Sequence, residues 1–549
     1  MASQDLVLKI KEFFKGDVNT DAETLTRYSR DASLFEVRPE IVVFPKDSGD
    51  IKNLVKFVNE QKRHGVGISL TPRSAGTDMS GGPLSSSIVV DVTKYMNRIK
   101  EIGDGYAVAE PGVFYRDFEK ETLARGFLLP SYPASREMCA LGGMVANNAG
   151  GEKSLSYGKT DQYVEELKVV LADGEEHVFR PLSMQELEEK KQEASFEGTV
   201  YKKIADLVEN HAEVLRTAKP KVSKNSTGYL LWDIYDKSAG TFNLSRVFVG
   251  SQGTLGIITE IKFKLIRPKL HSRLLVIFLP SVSALAGICG RVLEHHPESF
   301  ESYDDNTFKV ALKFFPAVAK SFHASLLRLA IDFLPEFRMV LTGGIPKLVL
   351  IAEFTGDTPE EATRKAEEAK KDILSFGFPV RVTRSEREAK KYWTLRRESY
   401  NILRHHVKGL RTAPFIDDFV IEPNRLPEFL PRLYGILDKY NLVYTVAGHV
   451  GDGNFHIIPL MNLASPDVRQ TIKNLSGEVY KLVFEFGGSM SGEHNDGLIR
   501  GAFLRMMYGD EVFRLFEETK RVFDTDGIFN PGKKTEAALE YALDHIVKK

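Results

Sequence analysis

Three loops rich in glycine and other small residues constrain the fold of the N-terminal half more than any other feature. They cover residues 72–82, 141–151 and 250–256, and strand-like segments lie between them. Small residues let backbone amides approach an anion closely, and the second loop adds the side-chain amides of Asn147 and Asn148. Each loop alone is typical of an ordinary tight turn. Three of them in one β-rich half indicate a large phosphorylated ligand.

Two histidines flank an Asp-Gly dipeptide in the C-terminal half. Asp452-Gly453 between two extended runs predicts a two-residue hairpin. With the turn centred there, His449 and His456 become direct cross-strand partners, and their Cβ atoms lie about 5 Å apart. That separation suits two imidazoles on one metal ion. The alternative is a pair of structural histidines.

A short polar stretch, Ser491–Gly497, places a carboxylate beside an imidazole. Glu493 would complete a metal site of two histidines and one carboxylate. His494 is expected to keep a pKa near neutrality and to accept a proton as a general base. The alternative is a polar loop that caps a helix.

Composition excludes several classes of protein. Lys and Arg number 74 and Asp and Glu number 75, so the net charge of -1 gives no basic field for nucleic acid. Two cysteines, Cys139 and Cys289, exclude a disulfide framework and an Fe–S cluster held by this chain alone. Charges at Asp5 and Lys9 disfavour a secretory signal. We expect a cytoplasmic protein.

One apolar stretch, residues 314–334, carries scattered Lys and Arg. It fits a helix of the core, and it also fits an interfacial helix on the inner face of a membrane. A peripheral membrane contact therefore stays open as an alternative.

The order of predicted elements gives an α+β fold in three parts. Residues 1–270 are β-rich, residues 271–480 mix strands with longer helices, and residues 481–549 are mainly helical. Within the first part, we expect a loop at 140–151, a charged helical excursion into solvent at 181–215 and a strand at 246–250.

Six ordered motifs then make the sequence recognisable. They are PRSAGTDMSGG, LGGMVANNAGG, GSQGTLGIITEIKFKL, GHVGDGNFH, SGEHNDGLIRG and FNPGK. Together they resemble the FAD-linked oxidases and dehydrogenases of the vanillyl-alcohol-oxidase superfamily, in the branch of D-lactate, glycolate and D-2-hydroxyglutarate dehydrogenases. The resemblance implies a two-subdomain PCMH-type FAD-binding domain at 1–270. It further implies an α+β cap domain with an antiparallel sheet at 271–480, and a helical segment at 481–549 that returns to the FAD domain.

The resemblance also assigns residues. The FAD-binding positions would be Arg73, Ser74, Ala75, Gly76, Thr77, Gly142, Gly143, Asn147, Asn148, Ile258, Asn530 and Lys533. Of these, 73–77 would hold the pyrophosphate, Ile258 would lie near the adenine, and Asn530 and Lys533 near the isoalloxazine. A divalent metal, Zn²⁺ or Mn²⁺, would be bound by His449, His456 and Glu493. The catalytic residues would be His494, as base, and Arg396, which grips the substrate carboxylate.

Three positions refine this picture. Asn495 stands where the family usually reads Gly, which leaves the local backbone open. The loop after Arg73 has no histidine, so non-covalent FAD is expected. Tyr400 stands where hydroxyglutarate enzymes carry a smaller polar residue, which favours a D-lactate-like substrate.

The expected activity is FAD-dependent oxidation of a D-2-hydroxy acid to a 2-oxo acid, with hydride transfer to flavin N5. Electrons would pass to an acceptor other than NAD: a quinone, an electron-transfer flavoprotein, a cytochrome or an Fe–S subunit. Two alternatives stay open, an enzyme like alkyl-glycerone-phosphate synthase and a flavin-binding subunit of a larger redox complex. A homodimer also stays open.

Overall fold

The computed structural model describes residues 4–236, 238–305, 344–406 and 409–548, without the side chains of 398–406. The apolar stretch at 314–334 lies outside the described residues, and so does the side chain of Tyr400. Among the helices that are described, none has both the length and the apolar character needed to cross a membrane.

A four-stranded sheet opens the N-terminal half. In spatial order its strands are Asp17–Asn19, Ile41–Phe44, Ile88–Asp91 and Leu70–Arg73. The last three run parallel, and the buried strands Ile41–Phe44 and Ile88–Asp91 are rich in Ile and Val, as parallel strands covered on both faces usually are. The chain leaves this sheet at Arg73 and passes directly into the first glycine-rich loop.

A five-stranded antiparallel sheet follows. Its spatial order is Ile99–Ile102, Tyr106–Ala109, Ile257–Lys264, Val164–Val170 and Glu176–Phe179. The central strand alternates buried and partly exposed residues, the period of two expected for a sheet with one packed face. A smaller sheet contains Tyr235–Asp236, Thr241–Asn243 and Pro181–Ser183.

An eight-stranded antiparallel sheet forms the second half. The strands in order are Val380–Val382, His271–Leu279, Leu348–Gly356, Ser299–Asp304, Val443–His449, Asn454–Met461 and Arg411–Thr412, with Phe419–Val420 paired to Asn454–Met461. The expected antiparallel sheet of an α+β cap domain is thus present. In the described chain, no sheet mixes strands from the two sides of residue 270.

Helices cover the sheets and tie the C-terminal segment back to the first half. The α-helices are Gln4–Phe13, Ala22–Tyr28, Ser48–Arg63, Tyr115–Leu123, Leu141–Asn147, Ser154–Tyr157, Met184–Lys191, Phe196–Asn210, Ala212–Ala218, Ser245–Phe248, Leu285–Leu293, Pro359–Ile373, Glu386–His406, Leu426–Leu437, Val468–Glu485, Leu504–Phe523 and Leu539–Asp544. Leu504–Phe523 buries Val512 and Phe516 in the core beneath the five-stranded sheet. Phe529 forms a bridge to Leu70 of the first sheet.

Three local predictions in the first half are wrong. Residues 141–147 form a helix, not a loop, and the helix ends at Asn148, whose φ of 50° stops it. The strand expected at 246–250 is replaced by the helical turn Ser245–Phe248, which the Asn243 side chain caps through the Ser245 amide. The charged segment 181–215 is not a solvated excursion, because helix Phe196–Asn210 buries a full apolar face.

The register of the histidine hairpin also differs from the prediction. His449 pairs with Asn454 and Ala447 pairs with His456, so residues 450–453 form a four-residue loop. The Asp452 carboxylate forms an ion pair with Lys224 Nζ, 3.0 Å away. The Gly453 carbonyl accepts a hydrogen bond from the Ile421 amide. The two histidines are diagonal neighbours on one face, still within reach of each other.

Candidate functional site

A cavity of about 1330 Å³ lies between the two halves of the molecule. It exceeds the roughly 300–1,000 Å³ of a pocket for one small molecule. One side, the backbone wall, consists of residues 73–77, 142–147 and 252–258. The other side, the charged wall, consists of Arg396, His449, His456, Glu493 and His494. The cavity therefore has room for a long cofactor and a small substrate together.

The backbone wall presents amides to the cavity. In the part of the chain that the structure describes, the amides of Ala75, Gly76 and Thr77 donate to no protein acceptor. Gly76 has a φ of +68°, which helps the loop to turn its amides inward. The Arg73 guanidinium is already bonded to the carbonyls of Tyr28 and Arg30. Such a nest of unpaired amides fits a pyrophosphate.

Gly142 brings the first two glycine-rich segments together. A Cβ at this position would lie 2.6 Å from the Pro111 Cβ and 2.9 Å from Ser74 Oγ, whereas one at Gly143 would make an ordinary contact of 3.6 Å. Asn147 and Ile258 also line the cavity. A surface of small residues and main-chain amides suits FAD.

Three of the predicted FAD-binding residues lie behind this wall instead of lining the cavity. Asn148 accepts a hydrogen bond from the Asp161 amide. Asn530 donates to the carbonyls of Gly82 and Gln252, 3.0 and 2.7 Å away, and Lys533 donates to the Leu84 carbonyl. These side chains brace the loops that form the wall.

The charged wall brings together the three predicted metal ligands. His449, His456 and Glu493 each offer one ligand atom, and these atoms all lie within 4.8 Å of one another. Nε2 of His449 is 3.3 Å from Glu493 Oε1. Two imidazole nitrogens and one carboxylate oxygen are a donor set that suits Zn²⁺ or Mn²⁺.

Buried carboxylates orient both histidines. His449 Nδ1 is 2.6 Å from Glu301 Oε1, and His456 Nδ1 is 3.1 Å from Asp417 Oδ1. In this arrangement each Nδ1 donates to a carboxylate behind the site, and each Nε2 is the ring nitrogen left to face the site. Carboxylates behind ligand histidines are usual in metal sites, so the surroundings fit a cation as well as the three ligands do.

His494 lies beside this cluster. Its ring stacks on His456 at a centroid distance of 5.3 Å, and its Nδ1 is 2.8 Å from Asp417 Oδ2. Burial opposes protonation, but Asp418 and Asp417 outweigh it and raise the pKa of His494 to about 9. The expected near-neutral pKa is therefore wrong for the protein alone, because the sequence did not reveal the two aspartates.

Asp418 fixes the loop 491–497. Its carboxylate accepts hydrogen bonds from the amides of Glu493 and His494, at 2.9 and 2.7 Å, and from Ser491 Oγ at 2.6 Å. Asn495, the departure from the family pattern, has a φ of 65°, a conformation that Asn tolerates better than most residues. Its side chain donates to the Gly250 carbonyl at 2.8 Å, so the loop keeps its shape and gains a tie to the backbone wall.

Lys224 is a buried cation that sequence reasoning missed. Its Nζ donates to Glu493 Oε1 at 2.7 Å and lies 3.0 Å from Asp452. Burial opposes ionisation of Glu493, yet Lys224 and His449 hold the pKa of that carboxyl well below its usual range. Glu493 therefore stays ionised, as a metal ligand must.

Two adjacent arginines reach the cavity from helix Glu386–His406. Arg396 NH2 lies 3.2 Å from Glu301 Oε2, and the side chain is largely buried. Arg397 forms a pair with Glu152, with a shortest contact of 2.5 Å. The structure thus places the predicted substrate arginine on the same wall as the predicted metal ligands and base.

The carboxylates Glu301, Asp417 and Asp418 were missed as well. The sequence did contain a signal for Asp417 and Asp418, because these two adjacent acids interrupt an apolar run between Phe415 and Val420. Such a pair in a buried segment needs charged or hydrogen-bonding partners. Nothing in the local sequence marked Glu301 or Lys224.

Two protein-family models match this chain. Residues 39–180 match the FAD binding domain model, and residues 269–534 match the model of the C-terminal domain of FAD linked oxidases. The chain therefore carries an FAD binding domain followed by the C-terminal domain of FAD linked oxidases, and the predicted resemblance is confirmed.

The chain is similar to the D-2-hydroxyglutarate dehydrogenase of Pseudomonas putida, with 28% identity over 95% of this chain and 50% of the relative. It thus spans about half the length of that relative. It is also similar to the D-lactate dehydrogenase of Anaerostipes hadrus, with 26% identity over 96% of this chain and 97% of the relative. The solved 4-ethylphenol oxidase from Gulosibacter chungangensis, in its isoeugenol complex, matches 98% of this chain and 99% of its own at 17% identity and a TM-score of 0.68. That likeness confirms the predicted PCMH-type fold.

Proposed function

We propose that the protein oxidises a D-2-hydroxy acid, D-lactate or a close analogue, to the 2-oxo acid. The observation that carries this proposal is the charged wall. Arg396, a cluster of two histidines and one carboxylate, and His494 line the same cavity as the glycine-rich segments. These are the groups needed to bind a carboxylate, polarise a hydroxyl and remove its proton.

Arg396 would hold the substrate carboxylate. A guanidinium binds a carboxylate through two parallel hydrogen bonds, which fixes orientation as well as position. Glu301, 3.2 Å from Arg396 NH2, limits the positions that the guanidinium can adopt. The α-carbon of the acid would then lie between the two walls.

His449, His456 and Glu493 would hold a divalent cation next to the α-hydroxyl. When bound, the cation supplies Lewis-acid polarisation that makes the hydroxyl easier to deprotonate. Lys224 keeps Glu493 ionised, and the carboxylates behind the histidines fix the orientation of both imidazole rings.

His494 would take the hydroxyl proton at Nε2, since its Nδ1 faces Asp417. Asp417 would stabilise the resulting imidazolium. A cation held by His449, His456 and Glu493 would lower the pKa of His494 from the high value that the two aspartates impose. FAD, when bound, supplies the two-electron acceptor that no side chain can replace.

The assignment of substrate is supported by the printed activities of similar proteins, which include D-2-hydroxyglutarate dehydrogenases, a D-lactate dehydrogenase and glycolate oxidase subunits. Tyr400 favours a compact acid over hydroxyglutarate. The electron acceptor would be a quinone, an electron-transfer flavoprotein, a cytochrome or an Fe–S subunit.

An anaerobic screen tests this proposal. The purified flavoprotein is mixed with D-lactate, L-lactate, glycolate and D-2-hydroxyglutarate, and the visible flavin absorbance is followed. We expect D-lactate to bleach the flavin, L-lactate to leave it unchanged, and chelation to slow the bleaching until Zn²⁺ or Mn²⁺ is restored. A flavin that no 2-hydroxy acid reduces would refute the proposal and favour the synthase-like alternative, which needs no net redox change.

A further inference from the structure

We propose that Glu301 couples the cation site to the substrate-carboxylate site, so that occupation of either strengthens binding at the other. The inference rests on the proposed function, because it takes His449 as a cation ligand and Arg396 as the carboxylate clamp. It adds a property that neither assignment contains, a thermodynamic link between two ligands through one buried side chain.

Glu301 touches a member of each site with a different oxygen. Its Oε1 lies 2.6 Å from His449 Nδ1, and its Oε2 lies 3.2 Å from Arg396 NH2. The residue belongs to strand Ser299–Asp304 inside the eight-stranded sheet, and its side chain is 1% exposed. Water therefore screens neither contact.

This burial makes the two contacts compete for one negative charge. With the cavity free of a carboxylate, the Arg396 guanidinium neutralises part of the Glu301 charge. A substrate carboxylate that binds Arg396 divides the guanidinium charge between two acceptors, which leaves Glu301 more strongly bonded to His449. A stronger acceptor at Nδ1 makes Nε2 a better cation ligand. Because coupling of binding free energies is reciprocal, a bound cation must strengthen carboxylate binding by the same factor.

Asp417 offers an instructive contrast. It supports His456 in the way that Glu301 supports His449, but its second oxygen lies 2.8 Å from His494 Nδ1. Asp417 therefore links the cation site to the base, whereas Glu301 links the cation site to the clamp. Each of the two carboxylates therefore supports a different pair of groups on the charged wall. Glu301 acts as a positioning residue, not a catalytic one.

Calorimetry on the metal-stripped, FAD-loaded protein tests the coupling. Zn²⁺ is titrated with and without saturating propionate, a carboxylate that binds the clamp but has no α-hydroxyl to reach the cation. We expect propionate to tighten Zn²⁺ binding about fivefold or more, within the usual range for coupled sites. Titrating propionate with and without Zn²⁺ must give the same factor.

The variant Glu301→Gln should bind Zn²⁺ about 10–100-fold more weakly, as is typical when the carboxylate behind a ligand histidine is lost. It should also lose the propionate effect. Glu298→Gln is the matched control. Glu298 is a buried glutamate just before the same strand, and it accepts hydrogen bonds from Lys153, Thr355 and Tyr157 instead of contacting either site. This control should keep both properties.

Wild-type protein that binds Zn²⁺ and propionate independently of each other would overturn the coupling and leave the proposed function intact. That result needs no variant, so it does not depend on the folding of Glu301→Gln. A propionate effect that persists in a folded Glu301→Gln variant would also overturn it. Wild-type protein that binds no Zn²⁺ would refute the cation site itself, and the proposed function would fail with it.

Discussion

The two walls of the cavity differ in the atoms that they present to it. The backbone wall presents main-chain amides from segments in which small residues let neighbouring parts of the chain pack closely. The charged wall presents side chains, and each of its main groups has a charged neighbour behind it: Glu301, Asp417 or Lys224. The backbone wall depends on positions that lack bulky side chains. The charged wall depends on networks of contacts between side chains.

This difference determines how each wall can fail. A substitution in the backbone wall adds atoms where the cofactor or a neighbouring loop must fit, so cofactor binding suffers first. A substitution in the charged wall leaves a buried charge without its partner, so chemistry and substrate affinity suffer while the cavity keeps its shape. Variants on the two walls should therefore separate flavin content from turnover.

Replacement of the proposed base should give the largest effect. His494→Asn should lower kcat with D-lactate by about 10²–10⁴-fold, the usual contribution of general base catalysis. Flavin content, measured from the ratio of visible to ultraviolet absorbance, should not change. His211→Asn, at a histidine that does not line the cavity, is the control and should leave kcat unchanged. Full activity in His494→Asn would contradict the assignment.

The two adjacent arginines allow the next comparison. Arg396→Lys should raise KM for D-lactate by about 10–100-fold, because a lysine cannot form the paired hydrogen bonds of a guanidinium. Arg397→Lys should change KM by less than about fivefold, since Arg397 is half-exposed and is engaged by Glu152. Steady-state kinetics on both variants measures the ratio. Equal changes in KM would show that the clamp is not specific to Arg396.

Two adjacent glycines sharpen the contrast at the backbone wall. Gly142→Ala places a Cβ against Pro111 and Ser74, so we expect the purified protein to retain less than about half of its flavin. Gly143→Ala meets only an ordinary contact and should retain nearly all of it. Absorbance spectra of the two purified variants give the comparison, and identical flavin contents would argue against a close approach at Gly142.

The smallest effect concerns stability away from both walls. Burial disfavours protonation of His177, but the hydrogen bonds that the ring donates to Asp173 and Glu197 outweigh it and raise its pKa to about 9. Its stabilising contribution is therefore full below the unfolded-state pKa near 6.5 and disappears as pH rises through about 9. His177→Gln should lower Tm by on the order of 1–3 °C at pH 6 and by nothing measurable at pH 9.5. A difference that grows with pH would contradict this sign.

Local sequence pattern was sufficient to identify the glycine-rich segments of the backbone wall and many helices and strands around them. The β-branched run Ile41–Phe44 forms a buried strand, and the Asp21 side chain caps helix Ala22–Tyr28, as local propensities favour. The small residues at 141–147 were correctly placed near the ligand cavity but wrongly expected to form a loop. Glycine at 142 and 143 lowers helix propensity, and packing against Pro111 overrides that local preference.

The charged wall could be predicted only in part, because its geometry depends on residues far apart in sequence. His449 and His456 lie together although the predicted register was wrong, since a shift of two residues keeps both on one face of the sheet. Glu301 and Lys224 contact Arg396 and Glu493 through tertiary packing, which no local pattern encodes. The predicted pKa of His494 failed for the same reason.

The loop 491–497 has a consequence for the order in which the site is assembled. It bonds to Asp418 on one side and to Gly250 and Gln252 on the other, so it closes the seam between the two halves. During translation, N-terminal domains generally fold first. Here the backbone wall cannot be completed in that order, because Asn530 and Lys533 brace its loops and helix Leu504–Phe523 packs beneath the five-stranded sheet. We therefore expect a chain that lacks this C-terminal segment to complete neither wall.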